Sequence, residues 1–114
     1  MEHLGKENIH SLNKILNEVV RRILTVVEPH RIILFGSAAK GTMGPDSDLD
    51  LLIIMPNGIH RRRTSVEIYK ALRGIGVSKD VIVVTEQDVE AYQYNPSLVL
   101  KSALDEGKNL YAAA

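Results

Sequence analysis

Residues 31–55 read RIILFGSAAKGTMGPDSDLDLLIIM, and this stretch decides the fold. Arg31-Ile32-Ile33-Leu34-Phe35 is a short run of branched and aromatic residues that predicts a buried strand closed by Gly36. Residues 37–40 fit a short helical turn, after which Gly41, Gly44 and Pro45 mark a loop running to Ser47. Beyond Asp48 the apolar residues return as Leu49, Leu51, Leu52, Ile53 and Ile54. Past the acids both faces are therefore apolar, the pattern of a strand covered on two sides. Pro56-Asn57-Gly58 is the turn that ends it.

Working outward, apolar residues at Ile9, Leu12, Ile15, Leu16, Val19, Ile23, Val26 and Val27 have the three-and-four spacing of an amphipathic helix, with Asn8 as its N-cap and Pro29 and His30 beyond its end. After the central stretch, Val66, Ile68, Tyr69 and Leu72 predict a helix over residues 64–72, punctuated by Gly74 and Gly76. Asp80-Val81-Ile82-Val83-Val84 is a third strand. Thr85-Glu86-Gln87-Asp88 reads as a helix start and Asn95-Pro96 as an interruption. Residues 97–106 form another helix with Leu98, Leu100, Ala103 and Leu104 inward, and residues 108–111 add a short terminal strand. The order implies an α+β fold, a small mixed β-sheet with helices packed on it. A single domain over residues 1–114 is expected, with an N-terminal helix at about 8–28, a core at about 31–85 and C-terminal helices at about 86–107.

With 45% hydrophobic and 25% charged residues, the chain has the composition of an ordinary soluble protein. Its 14 basic and 14 acidic residues cancel, so no global field draws it to extended nucleic acid or an anionic membrane. Any polyanion it binds is small and locally gripped. The absence of cysteine excludes disulfides, thiolate catalysis and cysteine-based zinc sites, and fits a reducing cytoplasm. No segment approaches the roughly 18 apolar residues of a membrane span, so a cytoplasmic location is expected.

Side chains two apart on a strand share a face, so Asp48 and Asp50 project together at the head of an apolar strand. Two neighbouring carboxylates raise each other's pKa and lose hydration, which calls for a positive partner. The strand contains no Lys or Arg. A hard dication such as Mg²⁺, which takes one or two carboxylates with water and phosphate oxygens, answers that need. Asp80 opens the third strand as Asp48 opens the second, and if those strands are neighbours its carboxylate joins the pair. Three acids can then hold two metals about 4 Å apart, which activate a hydroxyl and neutralise a leaving pyrophosphate in an in-line displacement. On the phosphate side, Gly36 lets the backbone turn sharply and the helical turn after it aims free N–H groups at an anion. Ser37 adds a hydroxyl donor and Lys40 a positive charge.

Taken together, Ile33-Leu34-Phe35-Gly36-Ser37, ten intervening residues and Asp48-Leu49-Asp50-Leu51 resemble the signature of the polymerase-beta-like nucleotidyltransferase superfamily. The short length, and Val81-Ile82-Val83-Val84-Thr85 behind Asp80, look like the minimal nucleotidyltransferases that many prokaryotes pair with a HEPN-domain protein. The resemblance implies that Gly36 and Ser37 hold the triphosphate of ATP or another nucleoside triphosphate. It implies that Asp48 and Asp50 ligate two Mg²⁺ ions, and that Asp80 ligates metal and helps activate the acceptor hydroxyl. The implied activity is transfer of a nucleoside monophosphate, AMP in the first instance, to a hydroxyl such as a tyrosine of a HEPN-type toxin, so that the chain acts as an antitoxin. The family often has an arginine just after the Gly-Ser pair and another near the next glycine. This chain has Ala38 and Lys40 there, so one phosphate contact is missing or moved.

Blander readings stand beside these. Asp48 and Asp50 are also what a solvated strand end contains, and Asp80 what a turn contains, with Lys79 or Ser78 as local partners. Lys40 reads equally as a solvated surface lysine. Arg61-Arg62-Arg63 after His60 reads as a solvated first turn of a helix or, because the helix dipole disfavours cations there, as a contact for a nucleotide, RNA or acidic partner. His3, His10, His30 and His60 have no metal-ligand spacing, and Tyr92 and Tyr94 suit core or interface packing. Two rival functions remain: a non-catalytic binding module that neutralises a partner by contact, and a transferase acting on a small molecule. A homo- or hetero-oligomer is compatible with either.

Overall fold

The two apolar runs on either side of the Gly36 turn pair with each other, and the rest of the chain covers them. A computed structural model describes residues 2–42, 47–92 and 97–114. The expected loop at Gly44-Pro45, the interruption at Asn95-Pro96 and Tyr94 lie outside the described residues, as do the side chains of His3, Ile9, His10 and Leu98. Along the chain run α1 (Glu2–Val26), β1 (Arg31–Phe35), α2 (Gly36–Lys40), β2 (Leu49–Met55), α3 (Arg61–Ala71), β3 (Lys79–Thr85), α4 (Glu86–Ala91), α5 (Leu98–Glu106) and β4 (Lys108–Ala112).

The four strands form one mixed sheet in the order β3-β2-β1-β4. β1 pairs antiparallel with β2 and with β4, and β2 pairs parallel with β3, the chain crossing over through α3. Alternation divides the side chains between two cores. On one face Ile32, Leu34, Leu49, Leu51, Ile53 and Met55 meet Leu16, Val19 and Ile23 of α1 and Ile68 of α3. On the other, Ile33, Phe35, Leu52, Ile54 and Val84 meet Leu100 and Ala103 of α5, with Val89 and Tyr92 partly buried against them. Each such side chain contributes about 1.5–3 kcal/mol on burial, which is why a strand buried on both faces needs an unbroken apolar run rather than an alternating one.

Helix starts depart from expectation at two places. α1 begins at Glu2, so Asn8 lies inside the helix and not at its cap; of the residues before it Glu2, Leu4, Lys6 and Glu7 are good helix formers, against His3 and Gly5, which are poor ones. α3 begins at Arg61 rather than Thr64, because the His60 ring nitrogen Nδ1 accepts a hydrogen bond from the Arg63 amide at 3.1 Å and caps the turn. The start at Thr85 is as expected: its hydroxyl accepts from the Asp88 amide while the Asp88 carboxylate accepts from the Thr85 amide, a capping box. Within α3, Ile68 is buried, whereas Val66 is 44% exposed. No helix among the described residues is long and apolar enough to cross a membrane.

Candidate active site

The register of the parallel pair sets Asp50 of β2 directly opposite Asp80 of β3, while Phe35 at the end of β1 is the partner of Asp50 on its other side. The Leu49 amide donates to the Ser78 carbonyl at 2.9 Å and holds this register at the strand starts. Cross-strand partners point to the same side of a sheet, so Asp50 and Asp80 stand on one face with backbones about 4.8 Å apart. That face is the one carrying Leu52, Ile54 and Val84, covered farther along by α5. Asp48 precedes β2 and is exposed. Leu49 beside it is wholly buried, which locks the alternation and leaves Asp50 half-buried.

Gly36 closes the third side. Its φ of +73° lies in the left-handed region, and a Cβ there would run into Asp50 Oδ2 and come within 3.2 Å of Asp50 Cγ. The absence of a side chain at position 36 is what lets the turn pass against the carboxylate. α2 starts at this turn, with Phe35 at its N-cap position offering no side-chain hydrogen bond to the first amides. Ser37 sits in the same turn; its carbonyl accepts from the Thr42 amide at 3.0 Å, and its hydroxyl has no protein partner among the described residues.

Lys40 is turned to another task. Its Nζ lies 3.2 Å from Glu106 Oε2 at the end of α5, with both side chains more than half exposed. This pairing was missed from the sequence because nothing local links the two positions. Arg61 is likewise engaged, 2.9 Å from Asp88 of the α4 capping box, which answers the unfavourable position of a cation in the first turn of α3.

Among the described residues, Asp48, Asp50 and Asp80 have no ion-pair partner, Lys79 included. Burial raises the pKa of Asp50 above the ordinary 3.8, and the charges of Asp80 and then Asp48 push it the same way. Asp50 therefore senses both of the other acids. Among the described residues no group of three or more His, Asp or Glu side chains is gathered tightly enough to hold a metal ion as it stands. The structure thus brings Gly36, Asp50 and Asp80 together, keeps Asp48 within electrostatic reach, and leaves Lys40 on its own ion pair. The donor set, hard carboxylate oxygens with no cation of the described residues paired to them, suits a hard dication that completes its shell with water and phosphate oxygens.

Against this geometry, the nucleotidyltransferase domain family matches residues 12–108. The chain belongs to that family. No curated protein matches it. Among solved structures, this nucleotidyltransferase domain is similar to a chain of a toxin–antitoxin crystallised with AMP-PNP, at 20% identity and a TM-score of 0.60 over 86% of this chain and 73% of that one. A double aspartate-to-glutamate mutant of the toxin–antitoxin MntA-HpeT aligns at 18% identity and a TM-score of 0.64, over the same 86% and 73%. A Sulfolobus solfataricus protein described as a nucleotidyltransferase aligns at 17% identity and a TM-score of 0.64, over 95% of this chain and 86% of that one. At such identities the likeness is one of fold, and the sheet with its flanking helices is the polymerase-beta-like nucleotidyltransferase fold.

Proposed function

We propose that this domain transfers a nucleoside monophosphate, AMP in the first instance, from a metal-bound nucleoside triphosphate to a hydroxyl of a partner protein, and so silences a toxin. The observation that carries the reading is Gly36 seated against the Asp50 carboxylate, with Asp80 in register beside it. The Gly36 turn, the Asp50 carboxylate and the Asp80 carboxylate then lie in a row across β1, β2 and β3. An in-line displacement needs that order, with the leaving group and the nucleophile on opposite sides of the α-phosphorus. Gly36 and Ser37 hold the leaving β,γ-phosphates through backbone N–H groups and the Ser37 hydroxyl. Asp48, Asp50 and Asp80 would hold Mg²⁺, which when bound would neutralise charge developing on the phosphates. The acceptor oxygen bonds to the α-phosphorus, the bridge to the β-phosphate breaks, pyrophosphate leaves, and Asp80 takes the acceptor proton.

The partner half of the proposal rests on the resemblance to minimal nucleotidyltransferases paired with HEPN proteins, and on two neighbours that are toxin–antitoxin structures. The acceptor in this reading is a tyrosine of a HEPN-type toxin, presented to residues 1–114 acting as a single domain. The deciding experiment incubates the chain with α-labelled ATP, Mg²⁺ and the product of the adjacent gene. Label is expected on the partner, and none with Asp50→Asn. A partner inhibited stoichiometrically without label would overturn the enzymatic reading.

That second outcome has its own support. Ala38 stands where the family often has an arginine, and Lys40, the basic residue of α2, is paired with Glu106. A site short of phosphate-binding cations favours neutralisation by contact, and the same incubation separates the two. Label on small hydroxyl compounds without any partner would instead identify a small-molecule transferase.

A further inference from the structure

Among the described residues β3 is an edge strand, with β2 on one side and no strand on the other. An edge strand turns alternate amides away from the sheet, where they need a partner or water. The Leu49 amide bonds to Ser78, so the β3 groups in phase with Ser78 face β2 and those of Val81 face outward. The Val81 amide has a specific partner there: it donates to the phenolic oxygen of Tyr69 at 2.9 Å. Tyr69 belongs to α3, two residues before its last residue Ala71, and is 37% exposed. Its ring lies on the flank of the helix while the neighbouring Ile68 enters the core beneath the sheet.

Val81 is the residue immediately after Asp80, and its side chain is buried on the opposite face. The strand at this point is therefore held by three contacts: β2 on one side, the core below through Val81, and the Tyr69 hydroxyl on the open side. Two of them are generic to any edge strand. The third is a single oxygen delivered by a long, rigid side chain from the crossover helix.

We propose that Tyr69 is a positioning residue for Asp80, fixing the height of β3 at its open edge so that the Asp80 carboxylate stays level with that of Asp50. The inference rests on the proposed nucleotidyl transfer for its consequence, and on the hydrogen bond alone for its geometry. Tyr69 touches no reacting atom. It acts through the backbone one residue away, and a phenylalanine at this position keeps the ring packing while removing the acceptor.

The test compares the full chain with Tyr69→Phe, using Val66→Ala on the exposed face of α3 as a control. Two readouts are taken: amide hydrogen exchange across residues 79–82, and the affinity for Mn²⁺-ATP with paramagnetic broadening of the Asp50 and Asp80 amide signals. Faster exchange at Val81 together with roughly five- to ten-fold weaker Mn²⁺-ATP binding, the size of one hydrogen bond, is expected for Tyr69→Phe and not for Val66→Ala. Unchanged exchange at Val81 would overturn the placement. Faster exchange with wild-type affinity would reduce Tyr69 to a structural cap and overturn its role toward Asp80. A wild-type chain that binds no nucleotide would count against the proposed function instead, and the exchange data would still decide whether Tyr69 holds the strand.

Discussion

Replacing Gly36 by alanine separates two effects that are usually confounded. Gly36 and Gly41 have nearly the same backbone conformation, φ +73° and +74°, so alanine is strained equally at both. The left-handed conformation costs an L-residue about 1–2 kcal/mol, which for a domain of this size lowers the melting temperature by roughly 5–10 °C. Among the described residues only Gly36 of the two has a neighbour, since a Cβ at Gly41 meets none of them within 4 Å whereas at Gly36 it runs into Asp50 Oδ2. That oxygen is the tip of a side chain and not backbone, so it swings away at about 0.5–1.5 kcal/mol if it leaves its rotamer well. The two variants should therefore melt close together. They should differ in ligand binding, because the swing takes Asp50 out of line with Asp80. Isothermal titration with Mg-ATP is expected to show at least a tenfold loss, about 1.4 kcal/mol, for Gly36→Ala and wild-type affinity for Gly41→Ala. Equal affinity for both variants, whether retained or lost, would refute the claim that contact with Asp50 is what position 36 contributes.

Asp50→Asn should raise the melting temperature near neutral pH while abolishing Mg-ATP binding. Its carboxyl titrates above 3.8 because burial and then Asp80 and Asp48 resist ionisation, so the cost of the charge is absent below about pH 3.8, grows as pH rises through the raised value and is complete above it. The gain should accordingly vanish in melts at pH 3, and a gain that persists there would exclude electrostatics as its cause. Gly107→Ala should destabilise the fold by about 1–3 kcal/mol in urea titration, because a Cβ there meets the Ala103 carbonyl and Ile33 at the α5–β4 junction, where backbone has no room to give. Thr85→Ala should cost about 1 kcal/mol by loss of the α4 capping box, read in the same titration. Lys40→Ala breaks only the exposed pair with Glu106 and should shift stability by less than about 0.5 kcal/mol. A large fall in Mg-ATP affinity in that variant would show that Lys40 leaves Glu106 for the phosphates.

What could be read from the sequence, and what could not, follows from the range of the interactions involved. β1 and β2 were legible because burial on both faces demands runs such as Ile32-Ile33-Leu34 and Leu51-Leu52-Ile53-Ile54, which few other structures tolerate. The capping box at Thr85 was legible because both partners lie within one turn. The cap of α3 was not, since a histidine ring at His60 replaces the usual hydroxyl or carboxylate. For the site, Asp48 and Asp50 could be placed on one face by alternation alone, but the position of Asp80 depended on whether β3 lay beside β2 and in which register. Apart from Asp80 itself neither strand carries a mark of that register, as residues 51–54 and 81–84 are all apolar. It is set by tertiary contacts: Leu49 to Ser78, Val81 into the core, and Tyr69 to the Val81 amide. A slip of one residue would send Asp80 to the opposite face among Leu51 and Ile53, where an unpaired carboxylate is costly. The acid therefore acts as a register marker: its solvation favours the one alignment that also sets it beside Asp50, so the requirement of the fold and that of the site coincide at this position.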